Sequence, residues 1–159
     1  VSDGPKVTLW AFIGVVTLVL LAFGLRGAPP VLIALAIGVV WLGGIVGTIG
    51  LKLNFMNFVA LPITLGIGTE YAANIWARMR SEGAGKVRTV IAETGSAVAL
   101  CSLTTIIGYA ALLVADNQAL RSFGEMAILG EVACLSAAIV GMPAFLVWRE
   151  RRARRERPT

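Results

Sequence analysis

The amino-acid sequence predicts an all-α fold, in the form of a polytopic transmembrane helical bundle. The chain has 159 residues, of which 57% are hydrophobic and 14% are charged. Soluble domains carry about 25% charged residues, and a soluble fold of this length could not bury so much apolar surface. The apolar residues also occur in runs of about 20, the length that a helix needs to cross a bilayer. These observations predict a membrane protein or a piece of one.

Five apolar segments are long enough to span the membrane, and turn signals separate them. The first segment ends at residues 26–30, where two adjacent prolines predict a tight turn. The third is interrupted by Pro62 and is followed by a polar stretch, residues 78–94, with room for a short surface helix. Residues 116–118 predict the turn before the last segment. The predicted spans are residues 7–25, 31–51, 55–78, 94–115 and 122–148.

Basic residues predict the orientation of these spans, because cytoplasmic loops of membrane proteins are enriched in Lys and Arg. One side of the predicted bundle carries Arg26, the basic residues of the 78–94 stretch and the run after Trp148. That side is predicted to be cytoplasmic, which puts the N-terminus outside and the C-terminus inside. Residues 1–148 then form the membrane domain, and residues 149–159 form a basic cytoplasmic tail rather than a segment that binds nucleic acid.

Composition argues against several other classes of function. The chain has no histidine, the commonest general base and metal ligand. Cys101 and Cys134 lie in apolar segments without metal-ligand spacing, and both are expected to be small buried side chains. There is no nucleophile motif such as Gly-x-Ser-x-Gly and no pair of acids at catalytic spacing. The sequence therefore predicts no enzyme activity, no metal and no cofactor.

Glu70 is the strongest functional candidate, because it lies inside the third apolar segment. A carboxylate at membrane depth costs several kcal/mol, so it indicates a functional site. Residues three and four apart share a helix face, which places Glu70 with Gly66, Ala73 and Asn74 on a small, polar stripe. That stripe is expected to face the bundle or a wet cavity, where a carboxyl group can load and release a proton.

The fourth predicted span offers hydroxyl partners for this acid, namely Ser102, Thr104 and Thr105. Glu70 lies about 12 Å from the cytoplasmic end of its span, and the hydroxyls lie at about 12 to 17 Å, at about 1.5 Å per residue. Contact between the two spans is therefore feasible. The alternative is that the hydroxyls bond carbonyl groups of their own helix.

The fifth predicted span carries two more acids, Glu125 and Glu131. Glu125 is expected to reach the interface. The deeper Glu131 could be a second proton site, a partner for Arg121, or a neutral acid bonded to backbone. A structural or auxiliary role is the favoured interpretation. Small residues in the second and third spans predict close helix packing.

The segment from Leu53 to Tyr71 resembles the fourth or tenth helix of resistance-nodulation-division (RND) transporters of the MMPL type. In that family an Asn-Phe…Ala-Leu-Pro segment leads to Gly-Ile-Gly-x-Asp-Tyr, and here the matching end reads Gly-Ile-Gly-Thr-Glu-Tyr. Residues 93–96 and 102–109 resemble the next helix of the family, and residues 120–124 and 142–146 resemble its last helix. The likeness covers about residues 7–148. It implies the five helices that follow a periplasmic porter domain, most consistent with helices eight to twelve.

The resemblance implies a proton-motive-force-driven exporter of lipids or other hydrophobic molecules in the bacterial inner membrane. The family's Asp-Tyr proton relay falls on Glu70 and Tyr71, and the relay predicted here also includes Thr104 and Thr105. Asn74 and Glu131 are auxiliary candidates. The sequence departs from the family pattern by having Glu instead of Asp at position 70, and by having acids at positions 125 and 131, where apolar residues are expected.

The expected partners are membrane lipid, a hydrophobic or lipid substrate, and the remainder of the same permease, namely its N-terminal half and periplasmic domains. The chain begins with Val rather than Met, and it is interpreted as a fragment of such a permease. Nucleic acid is not expected as a partner, and an oligomeric assembly is left open. The alternative function is a non-transporting module like a sterol-sensing domain or the SecD and SecF subunits, which resemble RND proteins in fold.

Overall fold

The computed structural model describes residues 3–50, 54–83 and 85–155, and within these ranges every regular element is a helix. The six α-helices are α1 (Asp3–Ile49), α2 (Phe55–Glu82), α3 (Val87–Val90), α4 (Ser96–Ala110), α5 (Gln118–Ser136) and α6 (Met142–Arg155). One turn of π-helix, Ile91–Gly95, joins α3 to α4, and another, Ala137–Gly141, joins α5 to α6. The prediction of an all-α membrane bundle is confirmed at this level.

Three helical stretches, not the five predicted, are long and apolar enough to cross a membrane within the described part of the chain. They are Gly4–Ile49, Val87–Val114 and Gln118–Trp148. The first contains the first predicted span and the second as far as Ile49. The third predicted span lies in α2, where polar residues such as Asn57, Glu70 and Asn74 interrupt the apolar sequence. The end of the second predicted span, residue 51, lies outside the described residues.

The predicted turn at residues 26–30 is also wrong, because the chain bends earlier, at Gly24. Gly24 has φ 66° and ψ 173°, a conformation that glycine adopts without the steric cost of a Cβ. Pro29 and Pro30 lie inside the helix that follows. They are the fifth and sixth residues after Gly24, so each removes one backbone N–H donor from the first hydrogen bonds of that helix. The prolines therefore lie within a helix and do not mark the turn.

The two halves of α1 lie side by side and antiparallel. One apolar cavity is lined by residues 5–12 of the first half and by residues 38–46 of the second. Such a shared lining requires the chain to fold back at Gly24. The hairpin packs against α2 and α5.

α2 and α5 run parallel and approach each other closely at glycines. A Cβ added to Gly68 would lie 2.5 Å from Cys134 Sγ, and a Cβ added to Gly130 would lie 2.5 Å from Thr64 Oγ1. Only hydrogen on Cα leaves room for these contacts. Other glycines of the predicted packing stripes have no neighbour within 4 Å at the Cβ position: Gly43, Gly44, Gly47 and Gly66.

α4 lies at the edge of the bundle. It packs mainly against α5, and its buried residues are Val98 and Ser102. The expectation that both cysteines are buried is wrong for this reason, since Cys134 is buried in α5 whereas Cys101 is exposed on α4. The edge position of α4 leaves one side of α2 open, and Glu70 lies on that side.

Candidate functional site

A buried carboxyl group and a phenol meet between α2 and α5. The Tyr71 hydroxyl donates a hydrogen bond to Glu131 Oε1. Glu131 is only 1% exposed and Tyr71 is also buried. A buried ionisable group is costly unless it is hydrogen-bonded, so the phenol offsets part of the cost of burying Glu131.

The third helix of the site is α4, which contributes hydroxyl groups. The Ser102 and Thr105 hydroxyls lie close enough to the Tyr71 phenol to act on it. Ser102 is fully buried, and its Oγ meets hydrogen-bond geometry with no group that the structure describes. Leaving a buried hydroxyl unbonded costs about 1–3 kcal/mol. Ser102 is therefore an uncommitted hydrogen-bonding group beside the phenol.

Glu70 lies apart from this buried pair. Its side chain is exposed and lines a cavity of about 480 Å³ between α2 and α4. Tyr71, Asn74 and Cys101 line the same cavity, and Arg78 lies at it as well. Tyr71 thus contacts both the cavity and the buried carboxyl of Glu131.

The predicted threonines of the relay are engaged with their own helix. Thr104 Oγ1 donates to the Cys101 carbonyl at 2.7 Å, and Thr105 Oγ1 donates to the same carbonyl at 3.0 Å. This is the alternative considered from the sequence, in which threonine hydroxyls satisfy carbonyls of the preceding turn. Thr104 is exposed, whereas Thr105 is half-buried and faces the phenol.

The other acid of α5, Glu125, lies outside the buried pair. It lines a pocket at the start of α5 with Arg121 and Ser122. The Arg121 guanidinium donates through Nε to the Leu113 carbonyl at 2.9 Å. Glu131 therefore bonds a phenol of α2 instead of the arginine of its own helix.

A series of side-chain hydrogen bonds joins the N-terminal ends of α2 and α5. Asn54 Nδ2 donates to Ser122 Oγ at 2.7 Å, and Ser122 Oγ donates to Asn57 Oδ1 at 2.8 Å. Asn57 is fully buried, and Asn54 Oδ1 also accepts from the Asn57 backbone N–H at the start of α2. These bonds set the register of the two helices and so help to align Tyr71 with Glu131.

The structure brings together Tyr71 and Glu131, with Ser102 and Thr105 beside them, and leaves Glu70 and Asn74 in the neighbouring cavity. The pairing of Tyr71 with Glu131 was missed from the sequence. Two signals pointed to it: a second acid deep in an apolar run, and a tyrosine next to the first acid. No group of three or more His, Cys, Asp or Glu side chains suited to a metal ion occurs among the described residues.

Comparisons with known proteins relate the chain to parts of longer membrane proteins. A protein of Methanocaldococcus jannaschii classed as a membrane protein is 30% identical over 128 residues, which is 77% of this chain and 32% of that protein. The hopanoid transporter HpnN of Burkholderia multivorans is 28% identical over 143 residues, or 87% of this chain and 16% of the transporter. HpnN of Rhodopseudomonas palustris is 29% identical over 98 residues, or 62% of this chain and 11% of the transporter.

The chain thus spans about a third or less of the length of these curated relatives. No protein-family model matches it, and no solved structure is a significant match. The apolar helices and the relatives together support a multi-pass membrane protein related to transporters.

Proposed function

We propose that the chain is the C-terminal membrane half of a proton-motive-force-driven exporter of the RND superfamily, MMPL type. The observation that carries this proposal is the polar site inside an apolar bundle, where Tyr71 connects the cavity of Glu70 to the buried Glu131. Ionisable groups inside membrane bundles mark ion and proton pathways in pumps and transporters. The similarity to hopanoid transporters supports a transport function.

In this proposal Glu70 is the acid that exchanges protons with the cavity. Its exposed carboxyl can meet water there, and Asn74 is a polar neighbour in the same lining. Tyr71 is the adjacent relay group. Thr104 and Thr105 belong to the α4 side of the site, and their hydroxyls can turn toward the relay only by leaving the Cys101 carbonyl.

The proposed substrate is a lipid or another hydrophobic molecule. A second cavity, of about 590 Å³, lies between the α1 hairpin, α2 and α5 and has an almost entirely apolar lining. Such a surface suits acyl chains or other apolar groups. Selection among substrates is assigned to the N-terminal half and periplasmic domains of the same permease.

The proposed location is the bacterial inner membrane, with the N-terminus in the periplasm and the C-terminus in the cytoplasm. The positive-inside rule supports this orientation, because the basic residues cluster after Trp148 and between residues 78 and 94. The basic tail, residues 149–159, then lies at the cytoplasmic surface.

The test uses the full-length protein reconstituted in vesicles with a lipid-like fluorescent substrate. We expect substrate movement to require a proton gradient and to dissipate it. Glu70→Gln should abolish both substrate movement and proton flux. The matched variant Glu125→Gln, which removes an acid outside the site, should leave both processes intact.

Substrate movement that is equal with and without a gradient would refute proton coupling. Lipid binding without any proton or substrate movement would instead favour the non-transporting, sterol-sensing-like module.

A further inference from the structure

We propose that Glu131 is the acid that stores the transported proton, and that Tyr71 delivers the proton to it from the cavity of Glu70. This proposal rests on the proposed function, because it assigns the storage step of proton coupling to a residue of that same site. Glu70 then serves as the outer acid, in contact with the cavity, and Glu131 as the inner one.

The first argument is the difference in burial between the two acids. Glu131 is 1% exposed, whereas Glu70 is exposed to the cavity. A coupled transporter must hold its proton out of contact with both aqueous sides during the conformational change. A carboxyl group in free contact with water exchanges its proton at once, so the buried acid suits storage and the exposed acid suits uptake.

The second argument is the position of Tyr71 between the two acids. It lines the cavity together with Glu70, and its hydroxyl donates to Glu131 Oε1. When a proton arrives from the cavity, the phenol oxygen accepts it while the phenol's own proton passes to Glu131. Tyr71 is neutral before and after this step, and Glu131 changes from a carboxylate to a carboxylic acid.

The third argument is the unbonded hydroxyl of Ser102. It is fully buried beside the phenol, in a position to donate to the phenol oxygen after the phenol's proton has moved. The neighbouring Thr105 hydroxyl already bonds the Cys101 carbonyl. Ser102 is therefore a positioning residue, which supplies a hydrogen bond to the phenol oxygen once the phenol's original proton has passed to Glu131.

The other titratable groups around Glu131 are compatible with storage of a single proton. Tyr109 of α4 and Cys134 of α5 lie within its electrostatic reach, and both are neutral in their protonated forms. Arg121 of the same helix bonds the Leu113 carbonyl. Among the described residues, the group that donates a hydrogen bond to the Glu131 carboxyl is thus the Tyr71 phenol.

The experiment is infrared difference spectroscopy of the purified full-length protein during a pH change, without substrate or membrane potential. Protonation of a carboxyl group in an apolar environment gives a carbonyl band at the high-frequency end of the carboxyl region. We expect Glu131→Gln to remove this band and Glu70→Gln to keep it. A band that survives Glu131→Gln, or that disappears in Glu70→Gln, would overturn the assignment.

The relay role of Tyr71 is tested by kinetics after a rapid pH jump. Tyr71→Phe should slow the appearance of the Glu131 band by about 100-fold or more, the scale of a lost proton-transfer group. Ser102→Ala should also slow it, and the exposed serine variant Ser96→Ala should not. Unchanged kinetics in Tyr71→Phe would refute delivery through the phenol.

If Glu131→Gln does not fold, a conservative variant provides the same test. Glu131→Asp keeps a carboxyl group in a shifted position, so its band must move in frequency, and an unmoved band would contradict the proposal. The two proposals fail separately. A Glu131 band in a protein without proton-driven export would refute only the transport function, and intact coupling in Glu131→Gln would refute only the storage site.

Discussion

Replacing Gly68 by alanine tests the close approach of α2 and α5, which brings Tyr71 to Glu131. The new Cβ would lie 2.5 Å from Cys134 Sγ and 2.9 Å from Cys134 Cβ. Favourable contacts between carbon atoms occur at about 3.5–4.0 Å, so the helices must separate by about 1 Å or the thiol must turn away. Overpacking of this kind costs about 1–3 kcal/mol.

A matched control is available two residues earlier in the same helix. Gly66 has nothing within 4 Å of its Cβ position, so Gly66→Ala gains helix propensity without a clash. Glycine is less favourable than alanine in a helix by about 1 kcal/mol, and this gain is common to both variants. The difference in unfolding free energy between Gly68→Ala and Gly66→Ala therefore measures the clash alone, at about 1–3 kcal/mol.

The assay is thermal unfolding of the detergent-solubilised full-length protein, followed by intrinsic fluorescence. Gly68→Ala should unfold at a lower temperature than Gly66→Ala. Cys134→Gly removes both clashing atoms, so combining it with Gly68→Ala should recover stability beyond the sum of the single effects. Equal stability of the two alanine variants, or strict additivity with Cys134→Gly, would refute the reasoning.

Three further predictions follow from the same contacts. Gly130→Ala should destabilise the protein by about 1–3 kcal/mol, since its Cβ would lie 2.5 Å from Thr64 Oγ1, and Thr64→Ala should restore part of the loss in thermal unfolding. A membrane-permeant thiol reagent should label Cys101, which is exposed, and spare Cys134, which is buried; mass spectrometry would show the site, and equal labelling would contradict the packing of α5. Asn57→Ala should cost about 0.5–1.5 kcal/mol, the net contribution of one hydrogen bond, because it removes the buried amide oxygen that accepts from the half-buried Ser122 hydroxyl; a neutral effect on thermal unfolding would argue against that bond.

The helical and membrane character could be read from the sequence because it depends on local composition. In long apolar runs with few charges, the backbone N–H and C=O groups can all be hydrogen-bonded inside a bilayer when the run forms a helix. The number of separate spanning helices was not predicted correctly. The two prolines after Gly27 look like a chain break, yet Gly24 makes the bend and the prolines lie inside the next helix. A pair of prolines in the sequence does not by itself show whether the chain bends before or after it.

The site was predicted only in part, and the reason lies in distance along the chain. Glu70 and Tyr71 were singled out from local features, and both lie at the site. The partner of Tyr71 was not foreseen, since Glu131 is 60 positions away. Only the parallel packing of α2 and α5 decides that the phenol reaches it. Helix-face reasoning applied to α2 alone could not give that neighbour.

The sequence by itself determined the helical and apolar character of the chain, and it determined that acids at membrane depth would need partners, because both follow from the cost of burying charge and bare backbone in lipid. The tertiary structure decided which acid is buried and which faces a cavity. Glycines at positions 68 and 130 let two helices approach closely, and the edge position of α4 leaves Glu70 open. Close packing between distant segments, rather than local pattern, assigned the buried position to Glu131.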